Sequence, residues 1–280
     1  MRTVLLTFIA LCAFAANSLL CRLALKSGYI DPASFTAIRL ISGALVLALV
    51  LSARRRSPVQ QGSWPAAFWL FAYAAAFSWA YVQLAAGAGA LLLFGAVQAT
   101  MIGAGFWRGE RLAPRQWLGV LVAIAGLVAL MLPGLSAPPL GSALMMLLAG
   151  VAWGAYSLYG RGAQDAGAAT AGNFIRSVPF AIALALFAVG TSQASISPAG
   201  WALALCSGAV TSGLGYIVWY MVLPRLRSSA AATVQLSVPL LAALGGTVLL
   251  GEDWTQRVTW TGLAILGGIA LVVLAPKPTA

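Results

Sequence analysis

The chain has no histidine and only five acidic residues among 280, and charged residues make up 8% of it. Without histidine a Ser/His/Asp set is impossible, and the sequence also lacks a phosphate-binding loop and a cluster of metal-ligand residues. We therefore expect no enzyme activity, no metal and no cofactor. The three cysteines lie inside apolar runs, where small core residues are more typical than a disulfide or a metal site.

The scarcity of charge is accompanied by long apolar runs. Hydrophobic residues make up 61% of the chain and the mean hydropathy is +0.95, whereas the surface of a soluble globular protein needs many more charged groups. These values predict a polytopic membrane protein with room for roughly ten spans of about 20 residues. The first apolar run is longer than the core of a usual signal peptide and has no clear cleavage signal, so we expect it to remain as the first helix.

Apolar runs bounded by charge, Pro or Gly clusters predict an all-α membrane protein of ten transmembrane helices, five in each half. The breaks include Asp31-Pro32, the Ala-Gly run at residues 86–89, and Glu252-Asp253, and the seam between the halves lies at residues 133–139. The predicted spans are residues 3–22, 33–52, 65–84, 88–107, 114–132, 139–160, 169–190, 198–220, 229–250 and 258–275.

A sequence repeat relates the two halves. The dipeptide Gly109-Glu110, followed by a Trp-x-Gly pattern, returns as Gly251-Glu252 followed by the same pattern. Residues 88–110 also align with residues 230–252 without a gap. A period of about 140 residues is far too long for a solenoid repeat, so the pattern indicates two copies of a whole subdomain.

We predict that each copy is a five-helix unit, residues 1–133 and residues 138–280. If both termini face the cytoplasm, twelve cations lie on the cytoplasmic side and four on the other, as the positive-inside rule requires. The twelve are Arg2, Arg54, Arg55, Arg56, Arg108, Arg111, Arg115, Arg161, Arg176, Arg225, Arg227 and Lys277, and the four are Arg22, Lys26, Arg39 and Arg257. Because each unit has an odd number of helices, the second is inverted, which puts Glu110 on the cytoplasmic face and Glu252 on the opposite face.

Two five-helix units, each ending in a Gly-Glu junction before a final Trp-x-Gly helix, resemble the EamA-type members of the drug/metabolite transporter superfamily, and among them the bacterial exporters of aromatic and other amino acids. The resemblance covers essentially the whole chain. It implies a ten-helix carrier of the bacterial inner membrane that works by alternating access, with its substrate cavity between the halves. One position departs from the pattern, because Pro239 precedes the second Gly-Glu junction whereas the equivalent position of the first unit is Val97.

Polar groups in the middle of apolar helices are costly, so each of them is a candidate for lining a cavity. Deep aromatic side chains are a second kind of candidate, since they suit a ring-bearing or apolar zwitterion when amide and hydroxyl groups lie nearby. The predicted substrate-binding residues are Asn17, Ser78, Trp79, Tyr81, Gln98, Trp153, Tyr156, Ser157, Tyr216, Trp219 and Gln235. Each of them also has a structural interpretation, as a hydrogen bond between helices or as core packing.

Two prolines and two arginines are further candidates. Pro179 and Pro239 interrupt the predicted seventh and ninth helices, and each removes a backbone donor. We predict hinges there, with passive kinks as the alternative. Arg39 and Arg176 occupy matching places at the heads of two apolar runs, where snorkelling to the membrane surface is the commoner explanation and attraction of a carboxylate is the other.

The sequence favours an exporter of amino acids, with aromatic or hydrophobic ones preferred, that uses one central cavity. No Asp or Glu lies in the middle of a span, so we expect flux without an intramembrane carboxylate relay. An exporter of drugs or other small metabolites is the alternative, followed by a nontransporting membrane scaffold. The expected partners are a small-molecule substrate and the lipid bilayer; the basic residues are scattered singly, which argues against nucleic acid, and a monomer is compatible with the sequence.

Overall fold

The computed structural model describes residues 2–53, 61–109, 112–134, 137–160, 163–222, 225–226 and 234–274. Within these residues the predicted all-α class is confirmed, and the chain forms ten helices. The helices are α1 (Arg2–Lys26), α2 (Pro32–Ala53), α3 (Trp64–Tyr81), α4 (Ala86–Trp107), α5 (Pro114–Met131), α6 (Leu140–Gly160), α7 (Ala166–Gly190), α8 (Pro198–Val222), α9 (Ser237–Leu250) and α10 (Gln256–Val273). The middle of α8, Cys206–Leu214, is wound as a π-helix.

Eight of these helices are long and apolar enough to cross a membrane, namely α1, α2, α4, α5, α6, α7, α8 and α10. Of the other two in the described chain, α9 has 14 residues. Helix α3 has 18 residues, among them three Trp and two Tyr, which hydropathy scales rate as only weakly apolar. The protein is therefore a multi-pass membrane protein.

The helix ends follow local signals in the sequence. Pro198 occupies the first position of α8, where a missing backbone N–H costs nothing, and the hydroxyl of Ser197 caps that helix by accepting a hydrogen bond from a backbone N–H of the first turn. Gly251 ends α9 with a φ of 61°, and Gly109 of the first Gly-Glu junction has a φ of 86°. Residues with a side chain rarely adopt this left-handed conformation, which explains the glycine of both junctions.

Two predicted features differ from the structure. In the described part of the ninth predicted span, residues 234–235 are helical, the chain turns at Leu236 and α9 begins at Ser237, so Pro239 lies in the first turn of α9. The Ala-Gly run at residues 86–89, predicted as a break, is instead the first turn of α4. A Cβ on Gly87 would lie 2.6 Å from the Cβ of Ala243, so this glycine lets α4 and α9 approach closely.

The helix contacts are symmetric between the two halves. Replacing each helix by its counterpart in the other half (α1 by α6, α2 by α7, and so on to α5 by α10) turns each contact below into an observed contact. Helix α2 packs on α7, α4 on α9 and α5 on α10. Helix α1 packs on α8 and α9, and α6 correspondingly packs on α3 and α4. The contact between α3 and α7 likewise matches that between α2 and α8. The two halves therefore interlock around a shared centre.

The contact between α5 and α10 depends on glycine. A Cβ on Gly119 would lie 2.5 Å from the carbonyl oxygen of Gly268, and a Cβ on Gly268 would lie 2.5 Å from the carbonyl oxygen of Gly119. Because the clashing atoms belong to backbone, no side-chain movement can relieve the contact. Gly119 is the glycine of the first Trp-x-Gly pattern, so the motif serves helix packing here.

Candidate functional site

A central cavity lies between helices of both halves. Its inner part is lined from α1, α3, α4, α6 and α8 and has an empty volume of about 540 Å³, open solvent included. Its outer part has an empty volume of about 910 Å³, solvent space at its mouth included, and reaches Ala163 in the connection between α6 and α7. Phe14, Trp153, Tyr216 and Gln235 border both parts, so the two parts adjoin, and the outer part lies toward the α6–α7 end of the bundle.

The centre of the cavity wall is aromatic. The rings of Trp153 and Tyr216 are stacked, with centroids 5.6 Å apart and an angle of 19° between their planes. Tyr73 and Tyr156 lie 4.8 Å and 5.2 Å from Trp153, and Phe14 lies 5.7 Å from Tyr216. Both halves of the chain supply these rings. Such pairs contribute about 0.5–1.5 kcal/mol each beyond burial, and their flat faces suit a ring-bearing or apolar ligand.

Asn17 is the main polar group at the inner end. Its Oδ1 accepts hydrogen bonds from the hydroxyls of Ser207 at 2.7 Å and Thr211 at 3.3 Å. Both hydroxyls belong to the π-helical segment of α8, and such wide turns are frequent at functional sites. Since the protein itself occupies the oxygen, the amide nitrogen is the atom that Asn17 offers to a ligand.

A chain of hydroxyls forms the polar wall nearer the mouth. The Tyr156 hydroxyl donates to Thr170 Oγ1 at 3.4 Å, and the Thr170 hydroxyl donates to the Tyr220 hydroxyl at 3.0 Å. All three side chains border the outer part of the cavity. They hold α6, α7 and α8 together and leave hydroxyl oxygens that can accept further hydrogen bonds.

The structure brings together seven of the eleven predicted substrate-binding residues. Those at the cavity wall are Asn17, Trp153, Tyr156, Ser157, Tyr216, Trp219 and Gln235, and those away from these two pockets are Ser78, Trp79, Tyr81 and Gln98. Ser78 is bonded to the hydroxyl of Thr36 at 2.8 Å, and the buried Tyr81 donates to the carbonyl of Ala86 at 3.3 Å. Trp79 is 39% exposed. The burial and hydrogen bonds of Ser78 and Tyr81 agree with the structural interpretation, whereas Trp79 is exposed.

Sequence reasoning missed several cavity residues. Tyr73 and Phe77 of α3, and Ser212 of α8, border the inner part. Tyr73 and Phe77 are four residues apart and therefore share a helix face, which is a signal that the sequence does carry. In a helix that is apolar on all sides, however, that spacing does not tell which face meets the cavity.

The two predicted hinges lie in different settings. Pro179 is inside α7, where it removes one helix hydrogen bond. Pro239 lies in the first turn of α9, where the N–H groups have no partner within the helix. The hinge role of both residues stays a prediction, and α7 is the helix in which a proline costs a bond.

Arg39 of α2 lies beside the inner part of the cavity. It is 2% exposed, and its guanidinium carbon lies 5.1 Å and 5.0 Å from the ring centres of Tyr73 and Phe77. Its Nε donates to Ser212 Oγ at 3.3 Å and its Nη2 donates to the Tyr73 hydroxyl at 3.0 Å. Because the side chain is enclosed by other helices, the snorkelling interpretation is wrong for Arg39.

Arg22 and Glu252 hold the opposite end of the bundle closed. Arg22 Nε lies 2.8 Å from Glu252 Oε1, and Arg22 Nη1 donates to the carbonyls of Tyr81 and Val82. Glu252 Oε2 accepts a hydrogen bond from the backbone N–H of Ala86 at 2.7 Å. These bonds join the end of α1, the α3–α4 connection and the α9–α10 connection. The corresponding residue of the first half, Glu110, lies outside the described residues.

The described cavity wall is neutral, with amides, hydroxyls and aromatic rings and no carboxylate or cation. Among the described residues no cluster of three His, Cys, Asp or Glu could hold a metal ion. This arrangement can bind a small molecule by ring contacts and hydrogen bonds. The charged Arg39 hydrogen-bonds two residues of the wall, Ser212 and Tyr73.

Comparison with known proteins gives a consistent result. Residues 1–132 and 140–274 match the EamA-like transporter family. The chain is 58% identical to an uncharacterized protein of Pseudomonas aeruginosa over 277 residues, and this match covers 99% of this chain and 96% of that protein. It is 26% identical over 258 residues to the uncharacterized transporter YwfM of Bacillus subtilis, covering 88% of this chain and 86% of YwfM. A crystal structure that is 21% identical has the same fold, with a TM-score of 0.67 over 97% of each chain.

Proposed function

Since the chain belongs to the EamA-like transporter family, we propose that it exports amino acids, with aromatic or hydrophobic ones preferred, across the bacterial inner membrane. The central cavity opens alternately to the two sides. The observation that carries the proposal is the stack of Trp153 on Tyr216 at the wall of a cavity that also presents the amides of Asn17 and Gln235. Aromatic faces beside neutral hydrogen-bonding groups fit an apolar zwitterion better than a sugar or a phosphate.

We further propose ten membrane spans in two inverted repeats, residues 1–133 and 138–280, with both termini in the cytoplasm. The exchange symmetry of the helix contacts supports the repeats. The excess of cations on one side of the predicted topology supports the orientation. An odd number of helices in each repeat makes the second repeat run opposite to the first.

In this topology the cavity is open at one end of the bundle and closed at the other. The mouth of the cavity lies where α6 ends and α7 begins, which is the cytoplasmic side in the proposed orientation. The ion pair of Arg22 with Glu252 lies at the other side, below a surface pocket that Lys26 and Asp253 also border. The cavity is then open to the cytoplasm and closed to the exterior, the arrangement in which an exporter takes up its substrate.

Flux through the purified protein in liposomes tests the proposal, with a labelled amino-acid panel and no ion gradient. We expect saturable flux of aromatic or hydrophobic amino acids. Trp153→Ala should lower the apparent affinity about tenfold, because a lost aromatic contact of about 1–1.5 kcal/mol corresponds to that factor. Trp79→Ala is the matched control, since Trp79 is exposed and away from the cavity. Equal loss in both variants, or no flux of any amino acid, would contradict the proposal.

Export of drugs or other small metabolites is the second candidate, and the neutral aromatic wall is the observation that favours it. A flat ring compound without carboxylate or ammonium would find the same stacking surface. The two candidates differ in what competes with the flux of a labelled amino acid. Strong competition by neutral ring compounds, with little by other amino acids, favours the second.

A further inference from the structure

Arg39 carries a buried charge that no acid of the described chain balances. The ion pair found in the described residues joins Arg22 to Glu252 and does not include Arg39. A charge that is taken out of water without a counter-ion is costly, and proteins tolerate it mainly where it has a function. The buried charge of Arg39 would therefore be balanced by an anionic ligand.

The hydrogen bonds of the Arg39 guanidinium also leave donor capacity for an anion. Nε and Nη2 donate to Ser212 and Tyr73, whereas the buried Nη1 donates to no atom of the described chain. The faces of Tyr73 and Phe77 attract the cation, but a ring face does not replace a hydrogen bond to an N–H group. The guanidinium thus keeps donor capacity for a planar acceptor such as a carboxylate.

The position of Arg39 connects it to the cavity. The side chains of Tyr73, Phe77 and Ser212 contact its guanidinium, and all three border the inner part of the cavity. Each of these side chains therefore touches both the charge and the empty space. A small movement of the Tyr73 or Phe77 ring would let a ligand in the cavity reach the guanidinium.

We propose that Arg39 is the anion-recognition residue of this cavity and that it selects substrates bearing one carboxylate beside an apolar or aromatic body. The proposal rests on the proposed function and names the substrate group that the site holds. The carboxylate accepts the free Nη1–H donor, while the ring of the substrate lies against Trp153 and Tyr216. One guanidinium beside a wall without a second cation matches a single negative charge better than a phosphate dianion.

The matching arginine of the second half supplies a control. Arg176 of α7 is half-buried, and its Nη1 donates to the backbone carbonyls of Gln61 and Gly172. It does not border the two cavity parts. Arg176→Gln removes the same charge from the chain and should leave ligand selection unchanged.

Ligand binding to the purified full-length protein, measured by thermal stabilisation, tests the proposal. The probes are 3-phenylpropionate and its neutral amide, 3-phenylpropionamide, which differ in the carboxylate. We expect the acid to bind at least about tenfold more tightly than the amide, as for a hydrogen bond to a charged group. Arg39→Gln should abolish this preference, and Arg176→Gln should keep it.

A second variant covers the case that Arg39→Gln fails to fold. Ser212→Asp places a carboxylate against Nε of Arg39, so it supplies an internal counter-ion and should also remove the preference for the acid. No preference in the unmodified protein, or an unchanged preference in Ser212→Asp or in folded Arg39→Gln, would overturn the role of Arg39.

The outcome separates this inference from the proposed function. A preference for the acid that depends on Arg39, without flux of any amino acid, would refute the amino-acid exporter and keep the anion site. Amino-acid flux without any preference for the acid would keep the amino-acid exporter and refute the anion site.

Discussion

Arg22 and Glu252 are 230 positions apart in the chain, yet Arg22 Nε lies 2.8 Å from Glu252 Oε1 in an ion pair whose side chains are 10% and 8% exposed. The pair connects the first helix of one half to the Gly-Glu junction of the other. A Cβ on Gly246 would lie 2.6 Å from Glu252 Oε2, so a glycine of α9 makes room for the carboxylate. If the protein works by alternating access, this ion pair has to open in every cycle.

The first prediction concerns this ion pair. Glu252→Gln removes the counter-charge of Arg22 and one of the two oxygens that accept from Arg22 and from the Ala86 N–H. We therefore expect the free energy of unfolding to fall by about 1–3 kcal/mol. The measurement is thermal unfolding of the purified protein in detergent. Asp253→Asn is the control, because the neighbouring Asp253 is exposed. Equal melting temperatures for Glu252→Gln and the unmodified protein would contradict the prediction.

The same substitution should also loosen the closed end. Leu84 is buried and borders the surface pocket above the ion pair, so a cysteine there reports opening. In a background without Cys12, Cys21 and Cys206, we expect Leu84→Cys to react with a thiol reagent several-fold faster when Glu252 is replaced by Gln. An unchanged rate would mean that the pair stabilises the fold without controlling access.

The second prediction concerns the contact between α5 and α10. Gly268→Ala places a Cβ 2.5 Å from the carbonyl oxygen of Gly119 and 2.6 Å from the backbone nitrogen of Ala123. The helices must then separate, at a cost of about 1–3 kcal/mol, which a lower melting temperature would reveal. The adjacent Gly267→Ala is the control, because a Cβ there meets nothing within 4 Å. Similar effects of the two substitutions would argue against a close helix contact at Gly268.

The third prediction compares two glutamines. Gln235 borders both parts of the cavity, whereas Gln98 of α4 borders neither. Gln235→Ala removes a neutral hydrogen-bonding group from the substrate site, so we expect KM for the transported amino acid to rise about five- to tenfold, as for a lost hydrogen bond of about 1–1.5 kcal/mol. Gln98→Ala should leave KM nearly unchanged. The reverse order of effects would place the site elsewhere.

The fourth prediction concerns energy coupling. The described membrane helices contain no Asp, Glu or His, so a proton has no side chain of ordinary acidity to bind within them. We expect flux in proteoliposomes to change little when a pH gradient is imposed across the membrane. A tenfold rise in rate would show that a proton-binding group takes part in transport.

Length and hydropathy were enough to predict the class of the protein and nearly all of its helix positions. Each span needs a long apolar run, and charge, Pro or Gly clusters mark most ends, so local sequence carries this information. The ninth predicted span shows the limit, because the sequence before Pro239 did not indicate the turn at Leu236 that precedes α9. The Ala-Gly run in the first turn of α4 was ambiguous for a related reason: glycine marks breaks in loops but permits close packing between helices, as at Gly87.

The sequence by itself determined the chemical inventory of the site, a set of amides, hydroxyls and aromatic rings in apolar helices with no acid among them. Only the tertiary structure decided which members of that set face the cavity. Trp153 and Trp79 look alike in sequence, yet Trp153 stacks on Tyr216 and Trp79 is exposed. Arg39 was visible as a charge in an apolar run, but its enclosure depends on residues of α3 and α8. In helices that are apolar on every side, periodicity cannot mark the inner face, and contacts between distant helices fix it instead.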